Sequence, residues 1–180
     1  MKHRLKLHKV LVQSLSFSFD EQYLASLGGQ DDNTLVIWDI ESGKALIGNP
    51  VGMNIANKVC FFNTTSSKCI TIHNYGIRTW DCDLVQKKVK YSEILMAQIK
   101  RIYTCIVIDS TDSYAYIGTK TGDIVEISLT HNLFKRIGPT KKLFSQGVNT
   151  IQLLSNDDLL LGAGDGTVAK VGSQELKLKT

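Results

Sequence analysis

The feature that most limits the fold of this 180-residue chain is a turn-and-strand plan that occurs four times. In the first two repeats the strand ends in a Trp-Asp pair, at residues 38–39 and 80–81. Ile127 and Val171 occupy the tryptophan position in the later repeats, so successive repeats are offset by 42, 47 and 44 residues. Each repeat must therefore form one small unit that buries its apolar side against a neighbouring unit.

Each repeat contains short runs rich in β-branched and aromatic residues, bounded by Gly, Asn, Asp and Ser, which is typical of strands joined by turns. A period of about 40 to 45 residues with a Trp-Asp ending is typical of a β-propeller blade made of four antiparallel strands. We therefore predict an all-β fold, a WD-repeat β-propeller fragment of about four blades that occupies residues 1–180 as one partial domain. The repeats are placed approximately at residues 8–48, 49–91, 99–137 and 143–180.

Two segments fit this plan less well. Residues 4–7, RLKL, alternate like an outer strand, and we predict an orphan strand whose own blade is missing. Residues 91–103 carry apolar side chains at positions 94, 95, 99 and 102, which is compatible with a helical turn. An irregular connector that leads into the next strand is equally compatible with that pattern.

A fragment of four blades presents a packing problem. A propeller closes because each blade is buried between two neighbours, and blades of this type normally close with about seven. Four blades would leave a half-ring whose two terminal blades expose apolar faces. We therefore expect that the chain is part of a longer protein, or that it is completed by self-association through its open blade edges.

The charge distribution bears on the class of partner. The net charge is +4, and the first nine residues contain Lys2, Arg4, Lys6 and Lys9 without any acid, so the remainder is balanced. Nucleic-acid binding requires clustered cations that displace counterions, and we predict no nucleic-acid partner. The basic N-terminus is interpreted as a solvated strand edge, because charge runs usually lie on solvated faces. Contact with the acidic surface of a protein partner is the less favoured alternative.

Cysteine spacing and hydropathy predict a soluble intracellular protein. The four cysteines have no spacing that pre-organises a metal site, so free thiols in a reducing compartment are expected. No segment approaches the roughly 18 apolar residues of a membrane span. We predict no cofactor, no metal and no membrane partner. The cysteines are Cys60, Cys69, Cys82 and Cys105.

The first repeat contains the residues of the buried hydrogen-bonded relay that is typical of a WD-type blade, namely His8, Ser26, Asp32 and Trp38. The same polar residue types also occur in nucleophilic triads, but the relay accounts for the tryptophan as well, and we predict no catalytic residue. Asp31, next to Asp32, is an alternative inward-facing carboxylate, and the sequence leaves that choice open. The residues predicted to define the blades are Trp80, Asp39 and Asp81.

The later repeats preserve less of this pattern. The second has Thr71 as a possible hydroxyl and Asn74 in place of the aspartate, and it has no histidine at its start. The third and fourth lack the tryptophan, so we expect blades that hold by packing rather than by a relay and that are less stable than the first. His73 and His131 stand alone, and each is interpreted as a turn or surface residue.

Other Gly- and Asp-rich segments are interpreted as turns. Residues 162–167, GAGDGT, precede a strand, whereas a dinucleotide-binding glycine loop opens a helix, so a hairpin is favoured. The acids of residues 109–113 and 155–158 lack the alternating pattern of a calcium loop. Asp, Asn and Ser at such positions make turns.

Three longer stretches resemble a known family, the cilia- and flagella-associated WD-repeat proteins found inside axonemal doublet microtubules. These stretches carry SLGG-x-DD before the first Trp-Asp, IGT-x-TGDI in a repeat without tryptophan, and GP-x-K-x-x-FS-x-GV between the third and fourth repeats. The resemblance covers nearly the whole chain and is weakest over residues 48–69 and after residue 172.

The resemblance implies a longer protein similar to two tandem seven-bladed propellers, with this chain in the middle of the first. It implies a place in the cytoplasm and cytoskeleton, in the axoneme of the cilium or flagellum, with contacts to tubulin and neighbouring inner proteins that stabilise the doublet. No enzymatic activity is implied. We therefore predict a non-catalytic structural and interaction module, with a general cytoplasmic WD-repeat adaptor for protein-complex assembly as the alternative.

Overall fold

A computed structural model describes residues 3–52, 54–141 and 143–179. Within these residues the chain forms sixteen β-strands and no helix. They belong to two compact units, an N-terminal unit over Met1–Glu93 and a C-terminal unit over Ile94–Thr180. In the described part of the chain, no helix is long and apolar enough to span a membrane.

The N-terminal unit contains two antiparallel sheets of four strands each, blade 1 and blade 2, in which consecutive strands are hydrogen-bonded neighbours. Blade 1 comprises β1 (Val12–Phe17), β2 (Tyr23–Gly28), β3 (Thr34–Asp39) and β4 (Lys44–Pro50). Blade 2 comprises β5 (Ala56–Phe61), β6 (Lys68–His73), β7 (Ile77–Asp83) and β8 (Lys88–Glu93).

The core of the N-terminal unit lies between these two blades. Side chains alternate across each strand, so one face of each sheet supplies apolar residues to this core. Strand β1 of blade 1 and strand β5 of blade 2 are also joined by hydrogen bonds. Ser16 Oγ accepts the backbone N–H of Phe61 at 2.9 Å, and Ser14 Oγ accepts that of Val59 at 3.3 Å. The buried core residues include Ala25, Leu27, Leu35, Ile37, Val59, Phe61, Cys69 and Trp80.

The C-terminal unit repeats the same arrangement with blade 3 and blade 4. Its core lies between the two sheets and includes Cys105, Tyr116, Ile124, Val148, Ile151, Leu161 and Val171. Blade 3 comprises β9 (Tyr103–Ile108), β10 (Tyr114–Thr119), β11 (Ile124–Ser128) and β12 (Leu133–Gly138). Blade 4 comprises β13 (Val148–Leu153), β14 (Asp158–Ala163), β15 (Val168–Gly172) and the short β16 (Lys177–Leu178).

The predicted all-β fold with four blades of four antiparallel strands is confirmed, and two local expectations need correction. Residues 4–7 are not a strand, because a strand requires a hydrogen-bonded neighbour and these residues pair with none of the described strands. Residues 91–103 form no helical turn. They finish β8 and then form an irregular connector in which Leu95 bridges to Leu133 and Ile99 N–H donates to the Met96 carbonyl at 3.0 Å.

Candidate functional site

In blade 1 the structure brings His8, Ser26, Asp32 and Trp38 into one hydrogen-bonded chain. Trp38 Nε1–H donates to Ser26 Oγ at 2.7 Å, and His8 Nε2 lies 2.7 Å from the same oxygen. His8 Nδ1 contacts the Asp32 carboxylate. An indole can only donate, so the Ser26 hydroxyl is free to donate to Nε2, which leaves Nδ1 to donate to Asp32. The His8 side chain is only 6% exposed, so the network lies almost fully inside the blade.

The turn between β2 and β3 sets the position of this network. The N–H groups of Asp32 and Asn33 both donate to the Gly29 carbonyl, and Asn33 has a left-handed φ of 45°. A Cβ at Gly28 would collide with the Asp32 carboxylate and lie 2.9 Å from His8 Nδ1, so glycine leaves the room that the histidine needs. The structure thereby places Asp32 against His8, while Asp31 is exposed.

This arrangement does not present a nucleophile. Ser26 is 2% exposed, and its oxygen is occupied by the indole N–H of Trp38 as well as by His8. A triad of the catalytic type needs a serine that can reach a substrate carbonyl beside an oxyanion hole. The chemistry available to this network is the mutual satisfaction of buried polar groups, which holds strand β3 and the preceding turn in place.

Blade 2 contains a shorter network that includes the hydroxyl suggested by the sequence, Thr71, and a histidine that the sequence reasoning missed. Trp80 Nε1–H donates to Thr71 Oγ1 at 2.8 Å, and Thr71 Oγ1 lies 2.7 Å from His73 Nε2. The interpretation of His73 as a turn or surface residue is wrong, because the residue ends β6 and is 3% exposed. Burial, reinforced by the nearby Arg78 cation, lowers the pKa of His73 to about 4. The available signal was the two-residue spacing of Thr71 and His73, which puts both side chains on one face of the strand.

Blade 3 has lost the tryptophan but keeps a polar cluster at the same end. Asp123 follows Thr119, the last residue of β10, by four positions, as Asp32 follows Gly28 at the end of β2. The Thr119 hydroxyl donates to the Asp123 carboxylate, and Arg101 Nε lies 3.0 Å from its other oxygen. Arg101 thus takes the role that His8 has in blade 1. Blade 3 therefore lacks the tryptophan relay, as expected, and adds to its packed core a polar cluster that the sequence did not predict.

A second charged cluster links blade 3 to blade 4. Glu126, in the middle of β11, is fully buried and forms ion pairs with Arg136 and with Lys135, whose Nζ lies 3.0 Å from Oε1. Arg136 also donates to the backbone carbonyl of Gln174, between β15 and β16. Burial, together with the Glu126 charge, raises the pKa of the neighbouring Tyr116 hydroxyl.

Blade 4 contains a buried carboxylate of its own. Asp158, the first residue of β14, lies 2.5 Å from Lys179 Nζ and 3.0 Å from Lys170 Nζ. The hydrogen bonds from Lys179 and Lys170 lower the pKa of Asp158 to about 2. Lys170 lies in β15, and Lys179 directly follows β16. The two ion pairs therefore connect the outer part of the blade to β14.

The remaining residues predicted to define the blades have local roles. Trp80 is fully buried, with its ring centroid 5.4 Å from that of Tyr91. Asp39 accepts from Ser42 N–H at 2.7 Å and from Ser42 Oγ at 2.6 Å, which caps the turn after β3 and lowers the pKa of Asp39. Asp81 forms an exposed ion pair of 3.5 Å with Lys68.

The loops considered as ligand sites form turns. Residues 162–167 join β14 to β15, and the Asp165 carboxylate accepts the Thr167 N–H at 2.9 Å. Asp109 accepts the N–H groups of Ser113 and Tyr114 in the turn before β10. Within the described ranges, no group of three or more His, Cys, Asp or Glu side chains is arranged to hold a metal ion. None of the four cysteines forms a disulfide within the described residues, and the hydrogen bond with Cys82, together with burial, raises the pKa of Cys69.

The comparison with known sequences agrees with this architecture. The family "WD domain, G-beta repeat" matches residues 1–39. Cilia- and flagella-associated protein 52 of Chlamydomonas reinhardtii is 45% identical over 166 residues, which is 92% of this chain and 27% of that protein. The proteins of the same name from Homo sapiens and Bos taurus are 40% and 38% identical over 91% and 97% of the chain, and 27% and 28% of their own lengths.

Two solved structures share the fold at low sequence identity. The β-propeller domain of Cps50 (Swd1) from Myceliophteria thermophila has a TM-score of 0.78 at 18% identity, and the alignment covers 94% of this chain and 55% of that one. The computationally designed Ika4 protein has a TM-score of 0.71 at 17% identity, over 94% of this chain and 98% of the design. These matches confirm the β-propeller fold.

The curated relatives that match this chain carry the same name, and their lengths show what the chain represents. It spans little more than a quarter of those proteins, so the similarity concerns one part of them. Their name supports a cilium or flagellum location. The chain is thus a WD-repeat β-propeller protein related, over most of its length, to part of cilia- and flagella-associated protein 52.

Proposed function

We propose that this chain is a non-catalytic structural and interaction module of an axonemal WD-repeat protein, which stabilises doublet microtubules by contacting tubulin and neighbouring inner proteins. The observation that carries this proposal is the 38–45% identity to cilia- and flagella-associated protein 52 over 91% or more of the chain. In this proposal the protein works in the cytoplasm and cytoskeleton, in the axoneme of the cilium or flagellum, and needs no cofactor.

The structure supports a scaffold role, because the residue types that could act in catalysis form hydrogen bonds with one another instead. Its histidine, serine and aspartate groups in blade 1 satisfy one another inside the sheet. The turns between strands are left to meet partners, as is usual for loops on a rigid framework.

We further propose that residues 1–180 are part of a propeller built from repeats near 8–48, 49–91, 99–137 and 143–180. The face of β1 that points away from blade 2 supports this division. Leu15 and Phe17 are 58% and 60% exposed there, and Phe19, just after the strand, is 57% exposed. Together they form an apolar surface of the kind that packs against another protein surface. Self-association through such an open blade is the minor alternative to a longer chain.

Incorporation into axonemes tests the main proposal. The tagged full-length protein would be expressed in Chlamydomonas reinhardtii cells whose own cilia- and flagella-associated protein 52 has been deleted. Flagella would be extracted with detergent to remove membrane and soluble matrix, and the protein would then be measured on the remaining doublets. We expect it on the doublets, with slower doublet disassembly at low ionic strength than in the deletion strain.

The same experiment separates the alternative. A protein that stays in the cell body or in the soluble matrix, together with cytoplasmic partners, would contradict the axonemal role and favour a general WD-repeat adaptor. The tag expressed alone is the control for trapping inside flagella.

A further inference from the structure

One end of the C-terminal unit is formed by several loops that backbone hydrogen bonds join into one platform. These are the connector before β9, the turn between β10 and β11, the connector before β13 and the turn between β14 and β15. Three backbone hydrogen bonds, each of 2.9 Å, link successive loops: Lys120 N–H to Ile102 O, Phe144 N–H to Gly122 O, and Gly164 N–H to Gly147 O.

Two glycines with left-handed backbone conformations let these loops approach closely. Gly122 has a φ of +94°, and a Cβ there would collide with the Phe144 carbonyl. Gly147 has a φ of +85°, and a Cβ there would lie 3.0 Å from the Lys120 Cα. Side chains on these loops are therefore held at defined separations before any partner arrives, which lowers the ordering cost of binding.

The lysines of the C-terminal unit divide according to their place. Outside these four loops, each described lysine of the unit forms an ion pair with a carboxylate, namely Lys135, Lys170, Lys177 and Lys179. On the platform, Lys100, Lys120 and Lys141 are exposed, and no carboxylate of the described residues lies within ion-pair distance of them. We call the surface formed by Lys100, Lys120, Lys141 and the half-exposed Leu143 the basic edge.

The acids near the basic edge leave its charge uncompensated. Asp123 is buried beneath it and already neutralised by Arg101 at 3.0 Å. Asp165 is exposed at this end, and its carboxylate accepts the Thr167 N–H. Glu175 lines the same cavity as Lys141, and it forms an ion pair of 2.7 Å with Lys177. Among the described residues, the three lysines therefore outnumber the nearby acids that have no cation of their own, and the surface is positive.

We propose that the basic edge binds an acidic segment of a protein partner, whose carboxylates pair with Lys100, Lys120 and Lys141 and whose apolar side chain covers Leu143. A protein fits better than a nucleic acid, because single strands bind on exposed aromatic rings and the aromatic ring of the platform, Phe144, is buried. The inference rests on the proposed function only in taking the partner to be a protein.

Charge reversal in the full-length protein tests the basic edge. The first variant combines Lys100→Glu, Lys120→Glu and Lys141→Glu. The matched control combines Arg4→Glu, Lys6→Glu and Lys9→Glu, which changes the net charge equally on exposed residues of the other unit. The probes are a fluorescein-labelled oligoglutamate peptide and an oligouridylate of equal charge, with affinity measured by anisotropy. Circular dichroism checks that both variants remain folded.

We expect the unmodified protein to bind the peptide, with weaker binding as salt rises, since exposed charge contacts are screened over about 10 Å at 0.1 M salt. The first variant should bind roughly 10-fold more weakly, because each exposed ion pair contributes about 2- to 5-fold, and the control should be unchanged. The inference is overturned if the peptide does not bind, if the control loses as much affinity as the first variant, or if the RNA binds as tightly as the peptide. The assay contains no axoneme, so its result is independent of the incorporation experiment.

Discussion

The two units use the same strand plan but different chemistry to hold it. In the N-terminal unit, tryptophan indoles donate to a serine or threonine that also contacts a histidine, and in blade 1 the histidine contacts the Asp32 carboxylate. In the C-terminal unit, the tryptophan positions are Ile127 and Val171, and the buried polar groups are carboxylates paired with arginine or lysine. A blade of this fold therefore tolerates the loss of its tryptophan when an ion pair ties its strands together.

The difference matters because the two kinds of network respond to different perturbations. A network built on indole, hydroxyl and imidazole groups fails when a buried partner is removed or a buried histidine must take up a proton. A buried ion pair fails when one charge is deleted, because the other charge is left without compensation in a poorly solvated place. Local stability measured by hydrogen exchange can follow the two units separately in one protein.

The largest expected effect concerns the indole at the centre of blade 2. Trp80→Ala removes a fully buried ring and leaves the Thr71 hydroxyl without its donor. We expect a loss of about 4 kcal/mol in the opening free energy of β6 and β7, measured by hydrogen exchange. Trp80→Phe, which keeps most of the packing, should cost about 1 kcal/mol. If Trp80→Ala cost less than about 1 kcal/mol, the result would contradict the central role of the indole.

The pH dependence of blade 2 is expected to come next in size. His73 has a folded-state pKa of about 4, below its ordinary value of 6.5. As the pH falls, the unfolded chain therefore takes up a proton at His73 at a higher pH than the folded chain does. Stability should be constant above pH 6.5 and fall as the pH drops toward 4, by about 3 kcal/mol. Hydrogen exchange of β6 at several pH values measures this loss, and His73→Gln should abolish it.

The C-terminal unit provides the contrast for that measurement. The pKa of Asp158 is lowered from 3.8 to about 2, so its contribution to stability is present above about pH 4 and is lost as the pH falls toward 2. Blade 4 should therefore keep its protection between pH 6.5 and 4, where blade 2 loses it. Parallel losses in both blades over that range would break the distinction between the two units.

A smaller effect is expected from deleting one charge in blade 3. Arg136→Met leaves Glu126 buried with Lys135 as its remaining cation and removes the bond to the Gln174 carbonyl. Deleting one partner of a buried pair typically costs 3–5 kcal/mol, and the remaining lysine should reduce this to about 2 kcal/mol. Lys135→Met is the matched control with a smaller cost, because the Gln174 bond remains. Equal costs would show that Arg136 does not link the blades.

The smallest expected effect distinguishes the two adjacent aspartates of blade 1. Asp32→Asn keeps an oxygen that can accept from His8 but loses the charge, so we expect a cost of about 1 kcal/mol in the opening of β3. Asp31→Asn, on an exposed side chain, should have no measurable effect. A larger cost at Asp31 than at Asp32 would contradict the arrangement of the turn.

The fold was predictable because its evidence is local and repeated. Turn residues, alternating side chains and the spacing of the Trp-Asp pairs each act within one repeat, and together they specified four antiparallel sheets. The residues that meet in blade 1 were also predictable, since His8, Ser26, Asp32 and Trp38 follow one another in a single repeat.

The networks of the other blades were missed because their members do not follow that pattern. His73 enters its network from the end of β6 rather than from the start of a repeat, and Arg101 approaches Asp123 from a separate connector. Glu126 is buried in β11 with Arg136 and Lys135 as its cations, and neither the turn residues nor the Trp-Asp spacing predicts these contacts.

The sequence by itself determined the β-strands, their grouping into blades and the polar chain of the first blade, because these depend on interactions between residues close in the chain. Only the tertiary structure decided that Asp32 rather than Asp31 faces His8, and which buried carboxylates have cations. It also decided which lysines remain exposed without a carboxylate. Those outcomes depend on how loops and neighbouring sheets approach one another, since a buried polar group is satisfied by whichever partner lies nearest in space.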